Sequence, residues 1–315
     1  MSNILITGGC GFIGSNFINY IYNNINNINK IVNLDIMYYC ASEQNINKNI
    51  ISSEKYIFIK GNINNSELIN SILEQYNINI VIHFAAQTSV DYSFINPYQF
   101  TLDNVCGTHN LLECCRQYGK LDRFIHISTD EVYGESDFTD TIPKDENTIL
   151  APSNPYAASK VGAESIAFSY YKCFNVPIII TRCNNAFGPN QYPEKLIPKF
   201  INLLKNNKKV TIHGKGNNLR TFIHTEDISK AIYTIWIKGI IGEIYNIGSE
   251  SELSIKQVTE ILIKKIINTD NYDNYIEYID NRIYNDKRYF INFNKLQKLG
   301  WTPCISFESG INQLI

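Results

Sequence analysis

The first half of the chain alternates short apolar runs with helical patterns. The runs that predict β-strands lie at residues 4–7, 31–34, 56–60, 80–84, 124–128 and 178–181. The segments that predict helices lie at residues 14–22, 67–76, 104–118 and 156–174. Such regular alternation implies right-handed crossovers and predicts an α/β fold with a doubly wound parallel sheet. Ligands bind these sheets outside the carboxyl ends of the strands, so functional residues are expected there.

A glycine-rich loop joins the first predicted strand to the first predicted helix. Gly8, Gly11 and Gly14 allow a tight turn, close approach of a pyrophosphate to the helix N-terminus, and close packing of the helix on the sheet. Asp35 closes the next strand, where a carboxylate accepts hydrogen bonds from ribose hydroxyls and repels a 2′-phosphate. The pattern predicts NAD rather than NADP. The alternative is that the glycines serve only a tight turn and Asp35 only caps a strand.

Further cofactor contacts are predicted from positions at the ends of later strands. Small residues there leave room for the flat body of a dinucleotide, although taken alone they are ordinary buried residues. They gain meaning because they fall on the edge of the sheet that holds the glycine loop. The predicted contacts at these strand ends are Asn62, Ile63, Ala85 and Ala86, and Phe12 and Ile13 are predicted contacts within the glycine loop itself.

Three proton-transfer groups follow in the sequence. Asp130 and Glu131 come directly after an apolar strand, and Tyr156 lies further on. Simple redox chemistry needs one such group, so the surplus suggests a redox enzyme that also eliminates a molecule. Tyr156 and Lys160 are one helical turn apart, and the ammonium, with the positive ring of oxidised NAD, is expected to lower the tyrosine pKa. The alternatives are that Tyr156 only packs a helix and that Asp130 and Glu131 only begin a solvated loop.

Composition narrows the function classes. The 315 residues exceed a typical single domain, and the formal net charge of -2 offers no basic surface for nucleic acid. No apolar run is long enough to predict a membrane span, and no secretory leader is recognisable. The eight cysteines lack paired metal-ligand spacing, so they predict reduced thiols, a cytoplasmic location and no metal site.

The combined motifs resemble those of the extended short-chain dehydrogenase/reductase superfamily, which has a Rossmann fold. Residues 128–134, Ser-Thr-Asp-Glu-Val-Tyr-Gly, are similar to the signature of its nucleotide-sugar 4,6-dehydratases, which act on dTDP-glucose and UDP-glucose. The resemblance covers almost the whole chain. Its other matches are residues 83–88, 184–189, 192–198 and 242–248.

The resemblance implies a reaction in which a hydride leaves the sugar and later returns. Tyr156 would take the proton of the 4-hydroxyl, positioned by Thr129, while hydride passes from C4 to NAD. Glu131 would then remove the C5 proton, Asp130 would protonate the departing 6-hydroxyl, and water would leave. The hydride would return to C6 and Glu131 would reprotonate C5. These roles require Asp130 to start protonated and Glu131 to start ionised.

The resemblance also implies a set of residues that bind the nucleotide sugar. Arginine suits a diphosphate because its planar fork binds oxygens in pairs. Asn285 stands where the bacterial dTDP-glucose pattern has histidine, and with Gln87 it favours eukaryotic-type dehydratases, including the first domain of plant UDP-rhamnose synthases. UDP-glucose is therefore preferred over dTDP-glucose, with partial acceptance of both expected. The predicted substrate residues are Thr88, Asn185, Glu194, Lys195, Leu196, Arg220, Asn246, Arg282 and Tyr289.

Two domains and a homodimer are predicted. An NAD-binding Rossmann domain would cover residues 1–182 and a smaller mixed α/β lobe for the nucleotide sugar residues 183–315, with residues 219–238 packing back on the first domain. The helices over residues 104–118 and from Tyr156 resemble those that form a four-helix dimer interface in this superfamily.

Two other functions share part of this pattern. A nucleotide-sugar 4-epimerase would need the glycine loop, Tyr156 and Lys160, but not Asp130 and Glu131, because no water is lost. A non-catalytic NAD-binding protein would be expected to have lost some of these four side chains, and all four are present.

Overall fold

The computed structural model describes residues 1–281 and 284–315, which alternate between strand and helix. The strands of this part of the chain are β1 (Ser2–Thr7), β2 (Ile28–Asp35), β3 (Tyr56–Lys60), β4 (Ile80–His83), β5 (Arg123–Thr129), β6 (Ile178–Cys183), β7 (Asn185–Phe187), β8 (Val210–His213), β9 (Leu219–His224), β10 (Ile244–Ile247), β11 (Glu252–Ser254) and β12 (Ile276–Ile279).

The helices flank these strands. The α-helices of the described residues are α1 (Phe12–Asn24), α2 (Lys48–Ile51), α3 (Ser66–Gln75), α4 (Val90–Ile95), α5 (Pro97–Phe100), α6 (Gly107–Tyr118), α7 (Pro155–Phe174), α8 (Leu196–Lys205), α9 (Thr225–Lys238), α10 (Ile255–Ile267), α11 (Asn294–Gln297) and α12 (Phe307–Asn312). Short 3₁₀-helices cover Glu43–Asn45, Asp130–Tyr133 and Asp273–Tyr275, and a π-helix covers Thr101–Cys106.

Seven strands form one parallel sheet in the order β3-β2-β1-β4-β5-β6-β10. The chain builds outward from β1 to β3 and then returns to the other side of β1 at β4, so the strand order reverses between β1 and β4. A reversal of this kind opens a crevice at the carboxyl ends of the strands, where ligands bind. The predicted doubly wound parallel sheet is confirmed.

Both faces of the large sheet are covered, because successive residues of a strand point to opposite sides. Ile4 and Ile6 pack with Phe17 of α1 on one face. Leu5 packs with Leu111 of α6 on the other face. The central strands therefore carry apolar residues on both faces rather than on one, as is typical of buried parallel strands.

A smaller lobe follows β6 and has a core of its own. β7, β9 and β11 form a three-stranded sheet, and β8 pairs in parallel with β12. Phe200 of α8, Leu262 of α10 and Phe222 of β9 are buried in one apolar cluster of this lobe. Nowhere in the described ranges is a helix both long enough and apolar enough to cross a membrane.

Two elements of the second half belong to the large sheet and its cover. β10 pairs with β6 as the edge strand. α9 packs against α1, with the rings of Tyr20 and Tyr233 6.4 Å apart. The predicted boundary at residue 182 therefore needs correction: residues 244–247 complete the first body, so the two halves of the chain are interleaved.

The predicted helix over residues 104–118 begins earlier and in a different form. The π-helix Thr101–Cys106 runs directly into α6. Asn104 in this segment accepts a hydrogen bond from the Gln87 N–H at 2.7 Å and donates to the Ser159 hydroxyl at 2.8 Å. Asn104, which lies in this wider helical turn, thus connects the loop after β4 to α7.

An ion pair is buried between α7 and β6. Arg182 Nη2 lies 2.7 Å from Glu164 Oε2, and the two side chains are 4% and 3% exposed. Arg182 also donates to the Tyr133 hydroxyl at 2.8 Å, and its guanidinium lies 4.7 Å from the centre of the Tyr133 ring. Tyr133 ends the 3₁₀-helix after β5, so the ion pair holds that segment on the sheet.

Replacing one member of this pair is expected to destabilise the protein strongly. Glu164→Gln leaves the Arg182 charge buried without its partner, which costs about 3 to 5 kcal/mol of unfolding free energy. The matched control is Glu74→Gln, which breaks the exposed Glu74–Lys120 pair and is expected to leave the stability almost unchanged, because water screens the two charges. Urea unfolding of both variants measures the difference, and equal losses would contradict the prediction.

Candidate active site

The glycine loop between β1 and α1 is closely packed. Gly8 has a φ of +72°, and a Cβ atom there would lie 2.6 Å from the backbone nitrogen of Ala85. A Cβ at Gly14 would lie 2.4 Å from the carbonyl oxygen of Gly8. Both positions therefore require glycine. The packing places the N-terminus of α1, with its free backbone N–H groups, at the carboxyl edge of the sheet, where it can bind an anion.

Asp35 ends β2 beside this loop. Its Oδ2 accepts a hydrogen bond from the Cys10 N–H at 2.9 Å, and its Oδ1 accepts one from the Met37 N–H at 2.8 Å. Burial raises the pKa of Asp35, and the two backbone hydrogen bonds oppose that rise. A carboxylate oxygen can accept more than one hydrogen bond. Asp35 therefore shapes the loop and keeps acceptor capacity for a ribose hydroxyl.

The other residues predicted to contact the cofactor lie at the same edge of the sheet. The side chain of Asn62 makes a local turn, in which its Oδ1 accepts a hydrogen bond from the Asn64 N–H at 2.8 Å. Direct contact between these residues and a cofactor stays a prediction. They are Phe12 and Ile13 at the start of α1, Asn62 and Ile63 after β3, and Ala85 and Ala86 after β4.

The two adjacent carboxylates lie on the 3₁₀-helix that continues from β5. Thr129 caps this helix, because its Oγ1 accepts a hydrogen bond from the Glu131 N–H at 3.3 Å. Gly134 ends the helix with a φ of +71°, and a Cβ there would lie 2.1 Å from the Ala151 carbonyl oxygen. The turn at both ends fixes Asp130 and Glu131 at the carboxyl edge of the sheet.

Asp130 is buried and only partly compensated. Its Oδ2 accepts a hydrogen bond from Asn184 Nδ2 at 2.6 Å, and its Oδ1 accepts one from the Thr129 hydroxyl at 3.2 Å. Burial and then the charge of Glu131 raise the pKa of Asp130 to about 7, against these two hydrogen bonds. A carboxyl group with that pKa is available as an acid near neutral pH.

Glu131 has a different set of neighbours. Its Oε2 accepts hydrogen bonds from Asn154 Nδ2 at 3.1 Å and from the Tyr289 hydroxyl at 3.2 Å. Burial raises the pKa of Glu131, and Asp286 adds to the rise, whereas Asn154 and the Arg220 charge oppose it. Neither hydrogen bond uses Oε1, which leaves that oxygen for a proton of the substrate.

Tyr156 and Lys160 are buried on one face of α7. Burial, followed by the charge of Glu131, raises the pKa of Tyr156, and the Thr129 hydroxyl opposes that rise. Lys160 Nζ donates to the Ile127 carbonyl of β5 at 2.8 Å, and burial lowers the lysine pKa to about 8. In the protein without its cofactor, the pKa of Tyr156 is therefore raised rather than lowered.

Several predicted substrate residues join the smaller lobe to the large sheet. Lys195 Nζ donates to the Thr88 carbonyl at 3.4 Å, and Glu194 Oε1 accepts from the Tyr39 hydroxyl at 3.2 Å. Leu196 begins α8. Asn185 lies on β7 with its Oδ1 buried and without a partner among the described residues, so it can accept a hydrogen bond from a ligand.

Arg220 and Tyr289 lie next to the carboxylates. The Arg220 guanidinium lies 4.8 Å from the centre of the Tyr289 ring, and Nη2 donates to Asn285 Oδ1 at 3.2 Å. The Tyr289 hydroxyl reaches Glu131 and, by a shorter hydrogen bond, Asp286. Tyr289 thus connects an arginine suited to a diphosphate with the predicted catalytic base.

Asn246 lies in the interior of the protein. Its side chain is 0% exposed, accepts a hydrogen bond from the Tyr133 hydroxyl at 2.8 Å and donates to the Asn292 carbonyl at 2.8 Å. In this arrangement the hydrogen-bonding groups of Asn246 are directed into the protein, and its contact with the nucleotide sugar stays a prediction. Arg282, the other predicted diphosphate ligand, lies outside the described residues.

The structure also identifies site residues that the sequence predictions missed. Asn184 and Asn154 each donate to one of the two carboxylates, and Asp286 contacts Tyr289. Asn154 has a local signal, because it precedes Pro155 as the N-cap of α7, where its Oδ1 accepts from the Ala157 N–H. Asp286 carries no such signal. It joins the site only because its neighbour Tyr289 contacts Glu131, and these two residues are 158 positions apart in the sequence.

A family model described as GDP-mannose 4,6 dehydratase matches residues 5–314. The chain belongs to that family. The dTDP-D-glucose 4,6-dehydratase of Dictyostelium discoideum is 45% identical over 99% of this chain and 80% of its own length.

The chain is also similar to a plant protein and to a bacterial enzyme of known structure. A trifunctional UDP-glucose 4,6-dehydratase/UDP-4-keto-6-deoxy-D-glucose 3,5-epimerase/UDP-4-keto-L-rhamnose-reductase of Arabidopsis thaliana is 44% identical over 99% of this chain, which spans 46% of that protein. The crystal structure of DesIV, a dTDP-glucose 4,6-dehydratase from Streptomyces venezuelae with NAD bound, superposes with a TM-score of 0.92. It is 34% identical and covers 98% of this chain and 94% of its own.

Proposed function

We propose that this protein is an NAD-dependent hydro-lyase that converts UDP-glucose or dTDP-glucose to the 4-keto-6-deoxy sugar nucleotide, for deoxysugar synthesis of the rhamnose type. One observation carries the proposal: the adjacent carboxylates Asp130 and Glu131 have different partners and raised pKa values at the carboxyl edge of the sheet, near Tyr156. Loss of water needs an acid and a base. A 4-epimerase has no use for this pair.

The glycine loop and its surroundings fit NAD. The space that a Cβ would fill at Gly8 and Gly14 is occupied by backbone, which brings the start of α1 close to where a pyrophosphate binds. Asp35 offers carboxylate oxygens for the adenosine ribose and repels the 2′-phosphate of NADP. When bound, NAD would supply the acceptor for the hydride of C4 and the donor of the hydride to C6.

Tyr156 is proposed to remove the proton of the 4-hydroxyl. Its raised pKa means that the phenolate must be stabilised by positive charge near the hydroxyl. Lys160, one turn along α7, and the positive ring of the oxidised cofactor would supply that charge. Thr129, whose hydroxyl already interacts with Tyr156, would orient the sugar hydroxyl.

Glu131 and Asp130 are proposed to carry out the elimination. The new C4 carbonyl acidifies the C5 hydrogen, which Glu131 takes as a proton through Oε1. Asp130 gives its proton to the 6-hydroxyl, which leaves as water. Glu131 afterwards returns a proton to C5. Asn184 and Asn154 hold the two carboxyl groups in these separate roles through one hydrogen bond each.

UDP-glucose is proposed as the preferred substrate. Asn285, the position that departs from the bacterial dTDP-glucose pattern, accepts a hydrogen bond from Arg220, so this departure bears on a residue proposed to bind the diphosphate. Asn185, Lys195 and Leu196 are proposed to line the same nucleotide site, with Thr88 and Glu194 bridging the lobes.

The decisive experiment incubates the purified protein with UDP-glucose and dTDP-glucose in parallel and follows the products by mass spectrometry. Loss of one water is the expected result, because Asp130 and Glu131 offer an acid and a base for elimination. The loss should be faster with UDP-glucose, the proposed substrate. A product of unchanged mass, with glucose converted to galactose, would establish the epimerase instead. No reaction after NAD is added would support a non-catalytic binding protein.

A second prediction separates the roles of the two carboxylates. Asp130→Asn and Glu131→Gln should each lower the rate of water loss by about 100- to 10,000-fold. In D₂O, Asp130→Asn should still exchange the C5 hydrogen of the recovered sugar, because Glu131 is intact, whereas Glu131→Gln should not. Asp270→Asn on the surface is the control. Equal C5 exchange in both variants would contradict the assignment.

The same assignment fixes the pH dependence of the rate. Asp130 acts while protonated, so the rate should fall as the pH rises through its pKa of about 7. Glu131 acts while ionised, so the rate should also fall as the pH decreases through its raised pKa. In the Asp130→Asn variant the alkaline fall should disappear from the residual rate.

A homodimer and a cytoplasmic location complete the proposal. The dimer would use the outer faces of α6 and α7, where Phe168 and Phe174 are 43% and 49% exposed. Sedimentation should give twice the monomer mass, and a stable monomer at working concentration would remove the dimer. All eight cysteines are free, which is compatible with a reducing compartment.

A further inference from the structure

Glu131 is connected to the protein surface by a chain of hydrogen bonds. The Tyr289 hydroxyl lies 3.2 Å from Glu131 Oε2 and closer still to Asp286 Oδ2. Ser153 donates to Asp286 Oδ1 at 2.7 Å. Ser153 itself is only partly buried, so the chain ends at the protein surface. Each member of this chain is an oxygen acid or a hydroxyl.

The Tyr289 hydroxyl bridges two carboxyl groups with a single proton. It can donate to one of them at a time, and its oxygen can accept from the other. The shorter contact places the phenol proton toward Asp286. Its oxygen then accepts a hydrogen bond from Glu131 when Glu131 carries a proton. When Glu131 is ionised, the phenol proton can turn toward Glu131 instead.

The second neighbour of Oε2 cannot serve in this way. Asn154 contributes an amide N–H, which donates a hydrogen bond but does not accept and pass on a proton. The Tyr289 ring is held in place by the Arg220 guanidinium at 4.8 Å. It is 4% exposed, and Asp286 is equally buried, so water has little access between the two groups.

We propose that Tyr289 and Asp286 form a proton relay that exchanges the carboxyl proton of Glu131 with solvent during the catalytic cycle. The relay rests on the proposed dehydratase function. The C5–H bond breaks and its proton binds Glu131. That proton moves to the Tyr289 oxygen as the phenol proton moves to Asp286, and Asp286 releases a proton outward past Ser153. The reverse transfer recharges Glu131, which protonates C5.

Tyr289 remains neutral before and after each transfer. This suits its environment, because burial and the nearby carboxylates raise the pKa of the phenol far above its ordinary value. The relay assigns Tyr289 a positioning role toward Glu131, in place of the predicted direct contact with the nucleotide sugar. It also gives a function to Asp286, which the reaction otherwise does not use.

The test measures solvent deuterium at C5 of the product. The reaction is run in D₂O, stopped early, and the keto group is reduced at once with borohydride to prevent later exchange. The wild-type protein should place deuterium at C5 in nearly every product molecule. Tyr289→Phe keeps the ring beneath Arg220 but lacks the hydroxyl, and should lower the deuterated fraction at least threefold. Tyr278→Phe, an exposed tyrosine on β12, is the control.

Asp286→Asn is the second variant, because an amide cannot take up the proton that Tyr289 passes on. It should also lower the deuterated fraction. Wild-type deuterium content in both variants would overturn the relay, as would a wild-type product without deuterium. A variant that folds and binds NAD but completes no turnover would also count against it, since Glu131 could still return its own proton. No conversion by the wild-type protein would refute the dehydratase itself.

Discussion

The burial of two adjacent carboxyl groups at the end of β5 is the constraint on which the site depends. Side by side at the carboxyl edge of the sheet, Asp130 and Glu131 require more donors than the Thr129 hydroxyl at the end of β5 supplies. The other donors come from three separate segments: Asn184 after β6, Asn154 before α7, and Tyr289 near the C-terminus. The site is therefore complete only when all of these segments are packed together.

α7 carries much of this organisation along one face. Tyr156, Lys160 and Glu164 follow one another at one-turn spacing, and all three are buried. The first two belong to the proposed chemistry, and the third pairs with Arg182. Through Tyr133 that ion pair reaches the 3₁₀-helix of the carboxylates. A single helix thus fixes the proposed base for the hydroxyl and the segment that bears the proposed acid and base for elimination.

The features that could be predicted from sequence are those whose signals are local. The strand and helix pattern, the glycine loop and the spacing of Tyr156 and Lys160 each lie within one or two elements, and the fold was predicted from them. Contacts between distant segments were not predictable in this way. The internal hydrogen bonds of Asn246 gave no sequence signal, because its partners, Tyr133 and Asn292, come from two other parts of the chain. The contact between Tyr289 and Glu131 likewise joins residues 158 positions apart.

The position of β10 has a consequence for how the molecule can unfold. The chain leaves the large sheet after β6, builds the strands β7 to β9 of the smaller lobe, and returns to complete the sheet's edge. Neither body can be cut out as a continuous piece with its core intact. The two bodies should therefore unfold as one cooperative unit. A hinge motion between them is limited to what the connecting loops allow while β10 stays paired with β6.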